Sequence, residues 1–580
     1  MTTPQAVVEH DPPSERDPLL SRTGQDIDVN GGVPKQDPDV PTIPGVNLRV
    51  VVTALATGIF LSAADNTIVI ASYGRIGTEF NELNRTSWIS TSYVYIYIYA
   101  YLAPALFLIL TTTLYSYLLT VASFQPLYGR LSNIYGRKSC LLFTYIVFGI
   151  GALLCGISQN MNQLIAARAL AGIGGGGMNT VTAILVSDIV PLRSRGTWQG
   201  ILNIIFGIGV AFGGPVGGWL SDTVGWRWAF LGQGPITFVA TLIVIFTLHI
   251  PETPVRSTGA ADSEVASKRA RLKRVDFAGA FTLIFAMSCL LISLDLSVDF
   301  TSTFTQSLLI LSFLLFVAFY HVENSYATEP FCPPALVKRP EILAPCMTNF
   351  LSIATATPVV FHIPLFSQAV LGSNATVAGQ RLIPMIIAGV MGSLLGGLYI
   401  QKTGRYYWLS INSYLAQLLG VAIILACIMV AGTGPSEGTI IGFMHLGMMT
   451  FYAGVASGIT LLLVALISNV TIEEQAVVIA VSYLFRSTAS VISLSFSALC
   501  VQMGLRKRLL KNLGDRDDVD EILQKVVRDL DYIKELEPDV AAIVRKAYQG
   551  GITDAMVFAL VLAVLCLVCS WAIREVRVKK

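Results

Sequence analysis

Fourteen stretches of this chain are apolar and long enough to cross the ~30 Å of bilayer hydrocarbon as helix. They lie near 48–72, 87–128, 139–158, 163–186, 199–221, 228–250, 275–296, 303–322, 342–367, 382–400, 407–431, 438–467, 475–501 and 552–573. Inside a bilayer no water satisfies a backbone N–H or C=O, so each spanning segment must bond to itself as a helix or close into a barrel. Runs of about twenty residues are helix-length, and the expected class is an all-α membrane protein. Composition agrees: 53% hydrophobic and 13% charged residues over 580 positions, with a mean hydropathy of +0.64, are too apolar for a water-soluble fold of this size. The nine cysteines sit mostly in apolar runs and read as small core residues.

Charge placement orients the spans. With the N-terminus in the cytosol, the inward loops carry Arg130, Arg137 and Lys138, then Arg193 and Arg195, Lys268 to Arg274, Lys338 and Arg339, Lys402 and Arg405, and Lys579 and Lys580. Short outward loops carry almost none, as the positive-inside rule requires. Under this parity the sequons at Asn84 and Asn374 face outward and are expected glycosylation sites, whereas the sequon at Asn469 faces inward and should be bare. Residues 1–46 are polar, rich in Pro, Asp and Gly, and lack a signal-peptide core; they are expected to be a disordered cytosolic tail. Within it, Glu15 to Leu20 (ERDPLL) fits an acidic dileucine signal, with Glu15, Leu19 and Leu20 as the residues a sorting adaptor would read.

The second apolar run is about twice the length that one crossing needs. Deleting Val94 to Tyr117 leaves TSWISTSYLLTVASFQPLYGRL, a single normal span. We therefore read 94–117 as a retained-intron insertion. The rival reading, a genuine extra span, would invert every later loop against the charge bias. A charged outward loop over 503–551 places Val519, Ile522, Leu523, Val526, Val527, Leu530 and Ile533 at helical spacing, which predicts a short helical cap.

Several short patterns carry chemistry. The turn Gly129-Arg-Leu-Ser-Asn133-Ile-Tyr-Gly136-Arg137-Lys138 recurs in degenerate form at Gly397 to Tyr406, keeping Gly, Gly and Arg at the same offsets. Such a repeat of membrane-embedded halves is the architecture of a secondary transporter. Arg168, in LIAARALAGIGGGG, is an arginine within a spanning run; it needs a partner, a cavity or a nearby interface to snorkel to. Asp65, in ADNTIV, is a carboxylate in apolar surroundings, where desolvation favours the protonated form and makes proton or cation exchange accessible; the bland reading is a structural carboxylate near the outward end. Gly213, Gly214, Pro215, Gly217 and Gly218 allow a bend in the fifth span. His362, His445, Asp295 and Arg486 are further ionisable groups within spans. No GxxxxGK[ST] loop, nucleophile-base pattern or metal spacing stands out, which argues against ATP-driven transport and against an enzyme.

These motifs resemble those of the major facilitator superfamily, and specifically its fungal fourteen-span drug:proton antiporter branch. The resemblance implies two six-helix halves, 47–250 and 342–574, joined by a cytosolic basic loop at 251–274 and two extra spans at 275–322. It implies that the Gly129 turn is a gating loop, with Asn133 where the family usually has Asp, so that one ion pair of the latch is missing. It implies roles in proton and substrate coupling for Asp65, Arg168 and Arg486, an antiporter motif at Gly213 to Gly218, and pathway candidates in His362 and His445. ADNTIV, NRTSW and LLTVASFQPLYGRL are closest in flavour to vacuolar basic amino acid transporters. The expectation is a monomeric, cofactor-free, proton-coupled antiporter in the vacuolar membrane. It would bind protons, a small cationic substrate, bilayer lipid and sorting adaptors, and no nucleic acid. Plasma-membrane export of drugs or secondary metabolites is the alternative.

Overall fold

The computed structural model describes residues 48–79, 113–190, 194–248, 276–295, 303–327, 330–373, 375–432, 436–513, 522, 526, 531–534 and 536–576. The sorting residues Glu15, Leu19 and Leu20, the sequons Asn84 and Asn374, the basic loop 251–274 and most of 94–117 lie outside them.

The spans in chain order are α1 (Leu48–Glu79), α2 (Thr113–Tyr135), α3 (Arg137–Ile157), α4 (Met161–Ile189), α5 (Arg195–Thr223) and α6, which is built from two pieces (Trp226–Leu231 and Gln233–Thr247). They continue with α7 (Phe277–Asp295), α8 (Thr303–Ser325), α9 (Pro340–Ala369), α10 (Ile383–Thr403), α11 (Tyr407–Val430), α12 (Glu437–Ser468), α13 (Ile472–Leu513) and α14 (Pro538–Ser570). Eleven helical stretches among the described residues are long and apolar enough by themselves to cross a membrane. Local chemistry sets the ends: Asn160 caps α4 by accepting from the Gln163 N–H at 2.9 Å, and Pro340 starts α9, where its missing N–H costs nothing. Phe143, Ile146, Ile150 and Ile157 form an exposed apolar stripe on α3 at helical spacing. In hydrocarbon such a stripe faces its proper solvent.

In the N-terminal half α1 lies along α5, α4 is flanked by α2 and α3, and α6 packs on α3. In the C-terminal half α9 contacts α13 and α14, and α12 is flanked by α10 and α11. The extra pair α7 and α8 pack on each other, with α7 resting against α2 and α13. The halves meet through two related pairs, α2 with α13 and α5 with α10.

The contacts at this seam cluster at one end of the bundle, the end that loop charge assigns to the cytosol. At Gly129 an added Cβ would lie 2.6 Å from the Ala480 Cβ and 2.9 Å from the Ala476 carbonyl oxygen, so only glycine permits this approach of α2 to α13. At the repeat, an added Cβ on Gly196 would lie 3.2 Å from the Gly397 Cα, between α5 and α10. Hydrogen bonds join Arg195 to Gln475 (3.1 Å), Thr197 to Gln401 (2.9 Å) and Asn203 to Ser393 (2.8 Å) across the same seam. Ala183 and Ile184 of α4 seal it against Ile467, Ala476 and Ile479. The two halves are thus in contact at that end of the bundle.

At the opposite end, α13 and α14 carry the expected cap segment between them. Ile522, Val526 and Ile533 pack with Leu505, Leu509, Val544 and Tyr548, and Arg508 grips Asp554 with two bonds of 2.6 and 3.0 Å. Those three cap positions are buried together, with Ile533 in a 3-10 turn (Asp531–Lys534), while Val519, Leu523, Val527 and Leu530 lie outside the described residues.

Candidate functional site: a buried ion pair and a cytosolic latch

Asp65 sits in the outward half of α1 and is fully buried. Its helix approaches α5 over a stripe of glycines four residues apart. A Cβ on Gly209 would lie 2.6 Å from the Phe60 carbonyl oxygen, one on Gly213 2.8 Å from the Ala64 Cα, and one on Gly217 2.9 Å from the Ile68 Cα. Two glycines of the Gly213–Gly218 motif thus press α5 against the Asp65 segment, whereas Gly214 and Gly218 face open space. Helix α5 runs unbroken through Pro215.

Arg168 reaches Asp65 from α4. Its Nη1 donates to Asp65 Oδ2 at 2.7 Å, and the side chains are 2% and 1% exposed. The arginine therefore pairs inside the bundle instead of snorkelling. Asp65 Oδ1 accepts from Gln233 Nε2 of α6 at 3.3 Å, and Gln233 also donates to the Ala229 carbonyl at 3.1 Å. The guanidinium lies 4.5 Å above the Tyr117 ring and 5.8 Å from that of Phe230. Arg168 Nε and Nη2 and Gln233 Oε1 have no hydrogen-bond partner among the described residues. Removing one member of such a pair leaves the other charge buried and uncompensated, typically at about 3–5 kcal/mol.

Tyr117 is the last residue of the segment read as an insertion. Removing 94–117 brings Tyr93 directly before Leu118, so a tyrosine occupies the same place in the chain with or without the segment.

The Gly129–Lys138 turn, the expected gating loop, is built around Arg137. Its Nε donates to Asp188 Oδ2 at 2.8 Å, and its Nη1 donates to Asn133 Oδ1 at 2.5 Å and to Ser132 Oγ at 2.9 Å. Asn133 thus keeps a hydrogen bond where a carboxylate would form an ion pair, and Asp188 supplies the charge. Gly136 has φ +90° and its repeat counterpart Gly404 has φ +68°, the left-handed region that favours glycine. Lys138 Nζ donates to the Ile245 carbonyl at 2.8 Å, tying α3 to α6.

The remaining predicted residues are scattered. Arg486 of α13 is half-buried, with its guanidinium 4.9 Å from the Tyr483 ring; it does not join the Asp65–Arg168 cluster. His362 is buried within the C-terminal half, beside the Ser497 backbone, and its Nε2 has no partner. His445 of α12 is half-buried near Arg381. The side chain of Asp295 lies outside the described residues.

Three contributors escaped the motif analysis. Asp188 and Gln233 belong to none of the motifs above, and Tyr117 falls in the segment read as an insertion. Gln233 did carry a signal, being a lone amide between two glycines in an apolar run.

Two bundles of membrane-length helices that meet at one end, with a buried ion pair inside the first, define a multi-pass membrane protein. The chain matches the Major Facilitator Superfamily over residues 55–494 and belongs to that family. Multidrug resistance protein fnx1 of Schizosaccharomyces pombe is 36% identical over 91% of this chain and 93% of its own length. Vacuolar membrane amino acid uptake transporter fnx2 of the same yeast is 36% identical over 92% of this chain and 85% of its own length. Vacuolar basic amino acid transporter 2 of Saccharomyces cerevisiae is 30% identical over 78% of this chain and 95% of its own length. The fold matches that of the proton:xylose symporter XylE, with a TM-score of 0.56 at 14% identity, over 92% of this chain and 97% of that one. The protein is a multi-pass transporter of the vacuolar or plasma membrane, from the fungal branch that its motifs resemble.

Proposed function

We propose that this protein is a proton-coupled antiporter that moves basic amino acids or similar amines out of the cytosol into the vacuole. The observation that carries the proposal is the Asp65–Arg168 pair, buried in the membrane-spanning part and linked to α6 through Gln233. A proton arriving on Asp65 cancels its charge and leaves the Arg168 cation without its counter-ion. The neutral and ionised forms of the pair thus favour different packings of α1, α4 and α6, which is what coupling requires. Because Arg168 already occupies Asp65, the carboxylate serves the proton, and cargo binds elsewhere in the cleft.

The vacuolar destination and the amino acid cargo rest on likeness to relatives named for them and on the dileucine tail. Likeness to a protein named for multidrug resistance favours drug export as the second reading. Uptake of radiolabelled lysine or arginine into isolated vacuoles, with and without a proton gradient, separates them. Gradient-dependent accumulation in excess of a deletion strain is expected; its absence, together with increased drug sensitivity of that strain, would favour the exporter.

A further inference from the structure

We infer that Arg486 is the docking point for the carboxylate of a zwitterionic amino acid cargo, on the C-terminal wall of the cleft between the halves; this rests on the amino acid reading above. Position on α13 is the first argument. Ile479 packs against Ala183 and Ile184 of the opposite half, and Tyr483 packs on the same cluster. Arg486 follows Ile479 by seven residues and Tyr483 by three, so it lies on the same helix face, about 10 Å nearer the outward end than Ile479. It therefore stands just above the closed seam, where the two halves face each other. Its neighbours on that helix support the orientation: Gln475 is bonded to Arg195 of the opposite half, Ser487 is bonded to Gln125 of α2, and Ser490 to Thr357 of α9 at 3.1 Å.

Charge is the second argument. Among the described residues no carboxylate pairs with Arg486, whereas Arg168 has Asp65. An arginine within the membrane-spanning part is tolerated if it faces water or a partner, and Arg486 is half-buried, not sealed. Tyr483 lies under its guanidinium at 4.9 Å. A planar fork of N–H donors with no anion of its own, set over an aromatic ring, matches a carboxylate.

The test compares lysine with cadaverine, which is lysine without its carboxylate, as cargo for proteoliposomes containing wild-type protein, Arg486→Gln or Arg486→Lys. Loss of one charge-assisted contact should lower lysine uptake by Arg486→Gln about ten- to hundredfold, leave cadaverine uptake within about twofold, and be partly restored in Arg486→Lys. Equal loss of both cargoes in a variant that purifies as a single folded species, or loss of neither, overturns the assignment. If wild-type protein moves neither compound but moves a drug, the amino acid reading fails and the carboxylate dock fails with it. If wild-type protein moves both equally well, only the dock fails.

Discussion

Each half of the molecule carries an arginine within its spanning part, and the two are accommodated in opposite ways. Arg168 is sealed among α1, α2, α4 and α6, with its charge returned by Asp65 at 2.7 Å. Arg486 is half-buried beside the Tyr483 ring, with no carboxylate partner among the described residues. A charge neutralised inside a bundle can respond to a proton without meeting cargo. A charge left open at the seam can meet cargo without titrating, since a guanidinium stays protonated at any physiological pH. The contrast underlies the division of labour proposed above, in which the N-terminal half would take the proton and the C-terminal half the cargo.

The largest effect should come from splitting the N-terminal pair. Arg168→Leu leaves Asp65 buried and unpaired and is expected to cost about 3–5 kcal/mol, seen as a lower melting temperature in detergent. The double substitution Asp65→Leu with Arg168→Leu should recover most of that stability without recovering transport. Restored transport would show the pair to be structural.

Next is the seam on which the cleft depends. Gly129→Val pushes side-chain carbon into the Ala476 carbonyl and Ala480 and is expected to cost about 1–3 kcal/mol by overpacking. It should also bias the halves to part on the cytosolic side, read as faster labelling of a cysteine introduced at Ile184. Unchanged labelling would mean that the seam does not depend on this contact. A smaller effect is expected at the latch, where Arg137 and Asp188 are 19% and 21% exposed and water screens the pair. Arg137→Ala should cost about 1 kcal/mol or less. Asn133→Asp should slow transport by adding a second ion pair to the closed state; faster transport would contradict the latch role. Replacing Leu19 and Leu20 by Ala should move a fluorescent fusion from the vacuole to the cell surface and leave transport kinetics untouched.

Much of this fold was legible in hydropathy and loop charge, because bilayer thickness and backbone hydrogen bonding leave a spanning segment few options. The repeat of Gly129 at Gly397 was equally legible, and it marks the two places where α2 meets α13 and α5 meets α10. Arg168 announced that it needed a partner, yet nothing in the linear order named Asp65, 103 positions away. Gln233 and Asp188 were harder still, since single polar residues gain meaning only from the helices brought beside them. Asn133 looked like a missing ion pair; in three dimensions it still accepts from Arg137, and the charge comes from Asp188 at the far end of α4. The glycines at 213 and 217 look like hinge residues in sequence, and the fold uses them as a contact surface for α1.

The division of labour stands or falls on Asp65. The measurement that addresses it most directly is lysine flux by Asp65→Asn in proteoliposomes under an imposed pH difference, beside lysine-for-lysine exchange with no gradient. Asparagine can still accept from Arg168, so the fold and the exchange of cargo should persist while the response to pH disappears. Flux that still follows the pH gradient in this variant would contradict the assignment of the proton to Asp65.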